Sequence, residues 1–430
     1  MLFDSTLLQG KKILLGVTGS IAIYKSLELI RFFTKAGAEV RVVTTRSGTK
    51  FITPLSFETL SNNKVLTDEN ECWASDFNHI KITQWADIMV IAPATANTIA
   101  KLANGIADTM LLQCALAFDG MKILAPSANT NMINHPITKA NLKMLGIANY
   151  TILSTQTKEL ACQTTGDGAM ADVETIFYAT ARQLLQEDFW KDRRVMITGG
   201  GTRQKIDEVR YISNFSSGKM AHALAIALYL RGADVNLIST MMPQDLPSDM
   251  HRIAVEDTQE MFEYLNDSIR IAKKGKLSKA TLMTSEQIHL IQKTPYLFMA
   301  AAVSDYIPKY TQNAKLKKEQ LGSTWSLELV ENIDILQSIN KEGIITVGFK
   351  AEMDKENAIK YATAMLEKKG IDGVALNILQ DASSFGTTTN EIEFYTKQNK
   401  HYHIPKNSKL QVAFELIEHA KQLQQQEQIS

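Results

Sequence analysis

The chain of 430 residues has three cysteines, Cys72, Cys114 and Cys162. That is too few for a disulfide framework or a paired CxxC metal site, so a reducing, cytoplasmic setting is expected. It also has no excess of either charge: 46 Lys and Arg balance 46 Asp and Glu. No overall field would draw it onto nucleic acid or an anionic membrane, and an anionic ligand must be held by local features. Long apolar runs are missing as well. The longest, Tyr296 to Val303, is far too short to span a bilayer. Met1-Leu2-Phe3-Asp4 shows no basic segment leading into an apolar core, so a soluble, unprocessed protein is expected. Finally, no glycine turn has the full G-x-G-x-x-G spacing with its ribose-binding acid, which counts against a nicotinamide dehydrogenase.

What the chain does have is a repeated opening. Lys11-Lys12-Ile13-Leu14-Leu15 leads through Gly16-Val17-Thr18-Gly19-Ser20 to a helix and then to Gly37-Ala38-Glu39-Val40. Arg194-Val195-Met196-Ile197 leads through Thr198-Gly199-Gly200-Gly201-Thr202 to a helix and then to Gly232-Ala233-Asp234-Val235. In such strand-turn-helix units glycine lets the backbone approach a phosphate while the helix start presents free N–H groups. The pattern is also common in α/β proteins that bind nothing there, so the turns alone leave phosphate binding open.

Length and the repeat predict two domains, 1–188 and 189–430, divided near the polar junction Glu187 to Arg193 with its aromatic anchor Trp190. Ile23, Leu27, Ile30 and Phe33 form an apolar stripe on the first helix. Continuous apolar strands recur at 87–92, 121–126 and 151–153, and again at 296–303, 344–349 and 373–377. Such runs suit parallel sheets covered on both faces. Helices are expected at 173–186 and 219–231. Residues 273–291 are basic and weakly patterned, an excursion or partner-covering arm, and the glutamine-rich tail from Gln422 is expected to fray.

Pro93-Ala94-Thr95-Ala96-Asn97-Thr98 follows a predicted strand, where open α/β sheets bind ligands. Its small, hydroxyl- and amide-bearing residues suit a flat ring with a phosphate, or simply cap a helix. With Gly19-Ser20-Ile21-Ala22, Phe51-Ile52-Thr53-Pro54-Leu55, His79-Ile80 and Asn104-Gly105-Ile106-Ala107-Asp108, this ordered set resembles the flavin-dependent cysteine decarboxylases. The whole chain, Lys11 to Ala420, resembles the bacterial bifunctional phosphopantothenoylcysteine decarboxylases and phosphopantothenate cysteine ligases of coenzyme A synthesis.

The resemblance implies an α/β protein of two doubly wound Rossmann-like domains: an amino-terminal flavodoxin-like FMN domain and a carboxy-terminal CTP-binding ligase domain. It makes Gly19, Ser20, Ile21, Thr44, Pro93, Thr95, Ala96 and Asn97 the FMN contacts. His79 becomes the catalytic histidine, Asn129 the group that recognises the substrate carboxylate, and Cys162 the proton donor. Around Asn129 the chain departs from the family, with Ala128 before it and Ile133 after Met132 where the family has methionine and tryptophan. By themselves a lone histidine before a strand and a lone cysteine are ordinary structural residues, and Cys114 reads as core.

The segment Thr198 to Met220 concentrates glycines, hydroxyls and cations ahead of a helix, and a capped helix alone would not require it all. It resembles the ligase signature. By that match Arg210 and Asn214 act at the pantothenate carboxylate and its acyl cytidylate, and Lys315 stabilises charge on the nucleotide phosphates. Met299, Ala300, Ala301, Asp305, Asn332, Ile333, Asp334, Ile335, Phe349 and Lys369 would form the rest of the CTP site, with Asp305 near Mg²⁺. Ile333 stands where proline is usual and Met365 near a frequent lysine. The chemistry is coherent, because a carboxylate attacking a triphosphate needs cations and amides around it.

The favoured reading is a two-reaction enzyme acting on 4'-phosphopantothenate, cysteine and CTP. A non-catalytic flavoprotein regulator or assembly subunit on the same fold is the alternative. By analogy with relatives, the expected assembly is a homo-oligomer, a dodecamer of decarboxylase trimers and ligase dimers.

Overall fold

A computed structural model describes residues 4–159, 165–278, 288–312, 314–316, 323–379 and 386–425. Cys162 lies outside the described residues. The chain divides into two compact units, the first running to Leu185 and the second starting at Gln186.

In the first unit β1 (Lys12–Val17), β2 (Glu39–Thr44), β3 (Ile88–Ala94), β4 (Lys122–Pro126) and β5 (Tyr150–Ile152) form a parallel sheet in the order β2-β1-β3-β4-β5. This is the flavodoxin-like order, and its chain direction reverses between β1 and β3. β3 is buried along its whole length, as a strand covered on both faces must be. The first helix, Tyr24–Lys35, buries Ser26, Leu29, Ile30 and Phe33, so the apolar stripe runs through Leu29 while Leu27 is only half-buried. The cause is the 3-10 turn Ile21–Ile23 ahead of the helix, which resets the phase expected from an uninterrupted 3.6-residue period. An antiparallel hairpin, β6 (Gln156–Glu159) with β7 (Thr165–Ala169), follows the sheet. The helix Val173–Leu185 closes the unit, with Phe177 packed against Phe33 at 5.8 Å.

The second unit opens with β8 (Arg194–Gly199) and a small hairpin of β9 (Arg203–Lys205) and β10 (Tyr211–Ser213). Then come β11 (Asp234–Ser239), β12 (His251–Ala254) and a second short hairpin, β13 (Lys276–Leu277) with β14 (Leu290–Ile291). That hairpin flanks residues 279–287, which lie outside the described residues together with the middle of the expected arm. β15 (Tyr296–Met299) precedes a third hairpin of β16 (Tyr306–Pro308) and β17 (Leu329–Glu331). β18 (Ile345–Glu352), β19 (Gly373–Ile378), β20 (Thr389–Thr396) and β21 (His401–Ser408) complete the set.

The large sheet has the order β12-β11-β8-β15-β18-β19-β20-β21, parallel as far as β19 and antiparallel beyond it. Its direction reverses between β8 and β15, the Rossmann arrangement. The helix Lys219–Leu230 is buried on nearly every side, because the helix Lys409–Gln425 covers the face turned away from the sheet. The glutamine-rich end is helical to Gln425, not frayed from Gln422: Leu423 is buried and the Gln422 side chain accepts from the Tyr402 hydroxyl at 2.6 Å. Both sheets therefore have the doubly wound α/β class.

Trp190 is fully buried, edge-on to Phe189 at 4.9 Å and to Tyr296 at 5.0 Å. Trp190→Ala should cost the second unit about 3–5 kcal/mol through lost transfer energy and the cavity left behind. Calorimetry should show that unit's transition moving down; an unmoved transition would contradict the packing.

Candidate functional site

In the first unit the loops after β1, β2, β3 and β4 enclose a cavity of about 420 Å³ where β1 and β3 diverge. Gly19, Ser20, Thr95, Ala96 and Asn97, all expected from the sequence, line it. Ser20 caps the 3-10 turn and its hydroxyl lies 2.9 Å from that of Ser127. Thr95 caps the helix Ala96–Ala103 and so turns that helix's free N–H groups and positive dipole end toward the cavity. Thr18 holds the loops together, donating to the Pro93 carbonyl at 2.7 Å and accepting from Thr95 N at 3.2 Å. A Cβ on Gly19 would come within 2.6 Å of Ser47 Cβ and 2.9 Å of its backbone, so only glycine fits.

Three expected contacts do not line this cavity. Thr44 is buried and bonds back to the Val17 carbonyl, Pro93 contributes its carbonyl to Thr18, and Ile21 is exposed at 58%. The loop after β2 lines it through Thr45, Arg46 and Ser47, along with Lys101, Thr109 and Ser127. Sequence reading missed these because a hydroxyl in a loop has no periodic signature; only the position after a strand marks it.

Asn129 is exposed beside the cavity-lining Ala128 and caps the short helix Thr130–Asn134, accepting from Asn131 N at 2.9 Å. The β6–β7 hairpin presses on this loop. Ala128 N donates to the Gly168 carbonyl at 3.1 Å, and a side chain on Gly166 or Gly168 would collide with Thr130 or Ala128. Asp172 braces β6 through Lys158 at 2.7 Å and Gln156 at 2.7 Å. Burial alone would raise the Asp172 pKa, but these partners outweigh it and hold the carboxyl low.

His79 does not line the cavity. It begins the helix His79–Trp85, not a strand, with Nδ1 2.7 Å from Glu71 Oε1 and Trp73 edge-on at 5.4 Å. The His79 hydrogen bond holds the Glu71 carboxyl below its usual range. An ionised carboxylate only accepts, so Nδ1–H is the donor in this pair and the bond fixes the ring's orientation. Glu71, eight residues upstream in an irregular loop, had no signal in the sequence. Cys114 is core, its thiol pushed up to about 12 by burial; Cys72 is an exposed free thiol.

In the second unit the turn after β8 is laced to the chain after β15: Ala300 N donates to Thr198 O, Ala302 N to Gly200 O and Thr202 N to Ala302 O. Gly200 adopts φ +79° and Gly218 φ +67°, and a Cβ on Gly199 or Gly201 would lie 2.5 Å from Ala221 Cβ or the Asn214 carbonyl. A buried network stands behind the turn. Thr258 Oγ1 accepts from Gln204 at 2.6 Å and from Asn332 at 3.0 Å, donates to Thr202, and Asn332 also donates to the Ser304 carbonyl at 2.7 Å.

Around this floor stand most of the expected nucleotide-site residues. Asn214 donates to the Val303 carbonyl at 2.9 Å. Asp305 is exposed at the start of β16's hairpin, and Asn332 N bonds its carbonyl at 2.8 Å. Lys369 pairs with Asp334, which caps the helix Ile335–Ser338. Ile333 uses its N–H on the Asn332 side chain at 2.8 Å, a bond proline could not make. Ala300, Ala301 and Phe349 are half-buried, whereas the Met299 and Ile335 side chains are core, at 6% and 1% exposure. Met365 packs against Gly348 in the same core.

Arg210 is committed within the protein. It pairs with Asp207, donates to the Leu316 carbonyl at 3.0 Å and lies 4.9 Å from the Trp325 ring. Asp207 also accepts from Leu316 N at 3.1 Å. The pair thus pins the residue next to Lys315, whose own side chain is exposed. Arg210 beside Asp207 holds that carboxyl well below the usual carboxylate range. A depressed carboxyl contributes stability in full above its unfolded value, 3.8, and loses it as pH falls through the folded value. The stability gap between wild type and Asp207→Asn should therefore be widest at neutral pH and shrink below about pH 4. A gap that is constant or grows in acid would contradict this reading.

The family described as Flavoprotein matches residues 3–185, and that described as DNA/pantothenate metabolism flavoprotein C-terminal domain matches 190–275 and 272–423. The coenzyme A biosynthesis bifunctional protein CoaBC of Borreliella burgdorferi is 33% identical over 412 residues, covering 95% of this chain and 98% of that protein. That of Bacillus subtilis is 34% identical over 426 residues, covering 98% and 99%. Among solved structures, the C-terminal domain of a CoaBC protein matches with TM-score 0.42 and 26% identity over 56% of this chain and all of that one. A PPC decarboxylase mutant complexed with pantothenoylaminoethenethiol matches with TM-score 0.37 and 36% identity, over 40% and 97%. With near full-length identity to these relatives and both of its halves matched, the chain belongs to the family of bifunctional CoaBC proteins of coenzyme A biosynthesis.

Proposed function

We propose that the second unit joins 4'-phosphopantothenate to cysteine with CTP through an acyl cytidylate, and that the first decarboxylates the phosphopantothenoylcysteine so formed to 4'-phosphopantetheine. The chain is a two-activity enzyme of coenzyme A biosynthesis, a ligase and a decarboxylase. The observation that carries the finer reading is the cavity between β1 and β3, with hydroxyls and a helix N-terminus at one side and the Ser127–Asn129 loop at the other.

FMN fits that cavity: Ser20, Thr95 and the N–H groups of the helix Ala96–Ala103 suit its phosphate, and the tight Gly19–Ser47 approach forms the cradle. When bound, FMN would supply the two-electron oxidation that lets the carboxylate leave and would return the two electrons afterwards. The protein orients and protonates. Asn129 would hold the substrate carboxylate, His79 would move a proton at Nε2 with Nδ1 fixed by Glu71, and Cys162, in the segment joined by β6 and β7, would donate the final proton. His79 stands off the cavity of its own chain, and exposed apolar side chains such as Tyr24 and Leu55 cover the first unit. Both support a site completed by a neighbouring copy, as in the expected trimers and dodecamer.

In the second unit the glycine turn would admit the nucleotide phosphates, Lys315 would neutralise their charge, and Asp305 would bind Mg²⁺ between them. Asn214 would contact the activated carboxylate. Arg210 enters as the anchor that sets the Lys315 segment.

Pyrophosphate and carbon dioxide report the two reactions separately. Asn214→Ala should slow pyrophosphate-coupled ligation by about 10²–10³-fold while sparing carbon dioxide release from supplied phosphopantothenoylcysteine. His79→Ala should do the reverse, at about 10²–10⁴-fold, with Glu71→Gln losing part of that. A folded protein whose two activities fall together in each variant would sink the assignment.

A further inference from the structure

In the second unit the hairpin β20–β21 carries a set of ligand groups to which neither proposed reaction assigns a role. Strand alternation buries Ile392, Phe394 and Ile404 completely on one face. The opposite face takes Glu391, Glu393 and Tyr395 from β20, and His401 and His403 from β21. The antiparallel register sets Glu393 against His403 and Tyr395 against His401, and a bulge between Asn390 and Ile392 interrupts the ladder at Glu391.

The result is a carboxylate held between two imidazoles. Glu393 Oε1 lies 2.8 Å from His403 Nδ1 and Glu393 Oε2 lies 2.6 Å from His401 Nε2, while Glu391 Oε1 is 3.7 Å from His403 Nε2. One ligand atom from each of Glu391, Glu393 and His403 falls within 4.8 Å of the others. Exposed ion pairs contribute little to stability, so pairing alone gives weak reason for this concentration of groups.

We infer that Glu391, Glu393 and His403 form a binding site for a borderline divalent transition cation, of which zinc is the simplest probe. One imidazole and two carboxylates are donors such a cation takes, and three protein ligands leave an open position for water. His401 serves behind the ligands. Its ring is stacked on Tyr395 with centroids 4.5 Å apart and planes 12° apart, and its Nε2 bonds the Glu393 oxygen that faces away from His403. That is the outer hydrogen bond which orients a ligating carboxylate. β21 is the last strand of the sheet, so a cation bonded to both strands ties the edge strand to its neighbour.

The test is equilibrium dialysis of the metal-free full chain against zinc chloride, followed by elemental analysis. Wild type should retain one zinc per chain more than His403→Gln, and His401→Gln should retain that zinc with about 10–100-fold weaker affinity. Equal zinc in wild type and His403→Gln overturns the site. Should His403→Gln fail to fold, Glu391→Gln at an exposed position provides the comparison, and equal zinc there overturns it as well.

Discussion

The close approach of backbone to backbone at the ends of the central strands is the constraint on which both sites depend. After β1, Gly19 faces Ser47 at a distance that excludes any side chain; after β8, Gly201 meets the Asn214 carbonyl in the same way, and Gly199 and Gly200 meet the Ala221 and Thr240 side chains. In the first unit the reversal of strand order coincides with the cavity, in the second it falls beside the glycine turn, and in both the missing Cβ atoms let loops from neighbouring strands approach. Hydroxyls then occupy the space that larger side chains would block. Thr18 and Thr95 brace the loops of the first unit, while Thr202 and Thr258 brace those of the second.

The two sites differ in how their charged groups are held. In the first, the His79 ring is oriented by one carboxylate on a loop, off the cavity. In the second, a charged pair is spent on architecture: Asp207 and Arg210 bind each other and both backbone polar groups of Leu316. Lys315 is therefore presented by a rigid anchor while its own side chain stays exposed. An exposed cation held through the backbone of its neighbour suits the charge-neutralising role proposed for it.

Much of this was legible in the residues. Continuous apolar runs gave the central strands of both sheets, and the repeated glycine turns marked where the loops would converge. On the first helix Ile23, Ile30 and Phe33 are buried as read, while Leu27 is only half-buried and Leu29 takes its place, after a 3-10 turn that hydropathy does not see. The tail looked frayed because glutamine is polar, yet Leu423 anchors it. Glu71 and the cavity-lining Thr45 and Ser47 escaped notice for a different reason. Their role comes from three-dimensional adjacency across loops, and no local spacing encodes it. The residues expected at the nucleotide split similarly: Asn214 and Asp305 are exposed and Lys369 is half-buried against Asp334, while Met299 and Ile335, matched by motif alone, put their side chains into the core.

The central claim is that the glycine approach after β1 forms the flavin cradle, and the flavin content of Gly19→Ala tests it most directly. Protein purified in parallel with wild type, folded by circular dichroism, would be assayed for bound FMN by absorbance after release. The account predicts wild type with about one FMN per chain and Gly19→Ala with little or none, because the new Cβ displaces the Ser47 loop. Full flavin occupancy in Gly19→Ala would contradict it.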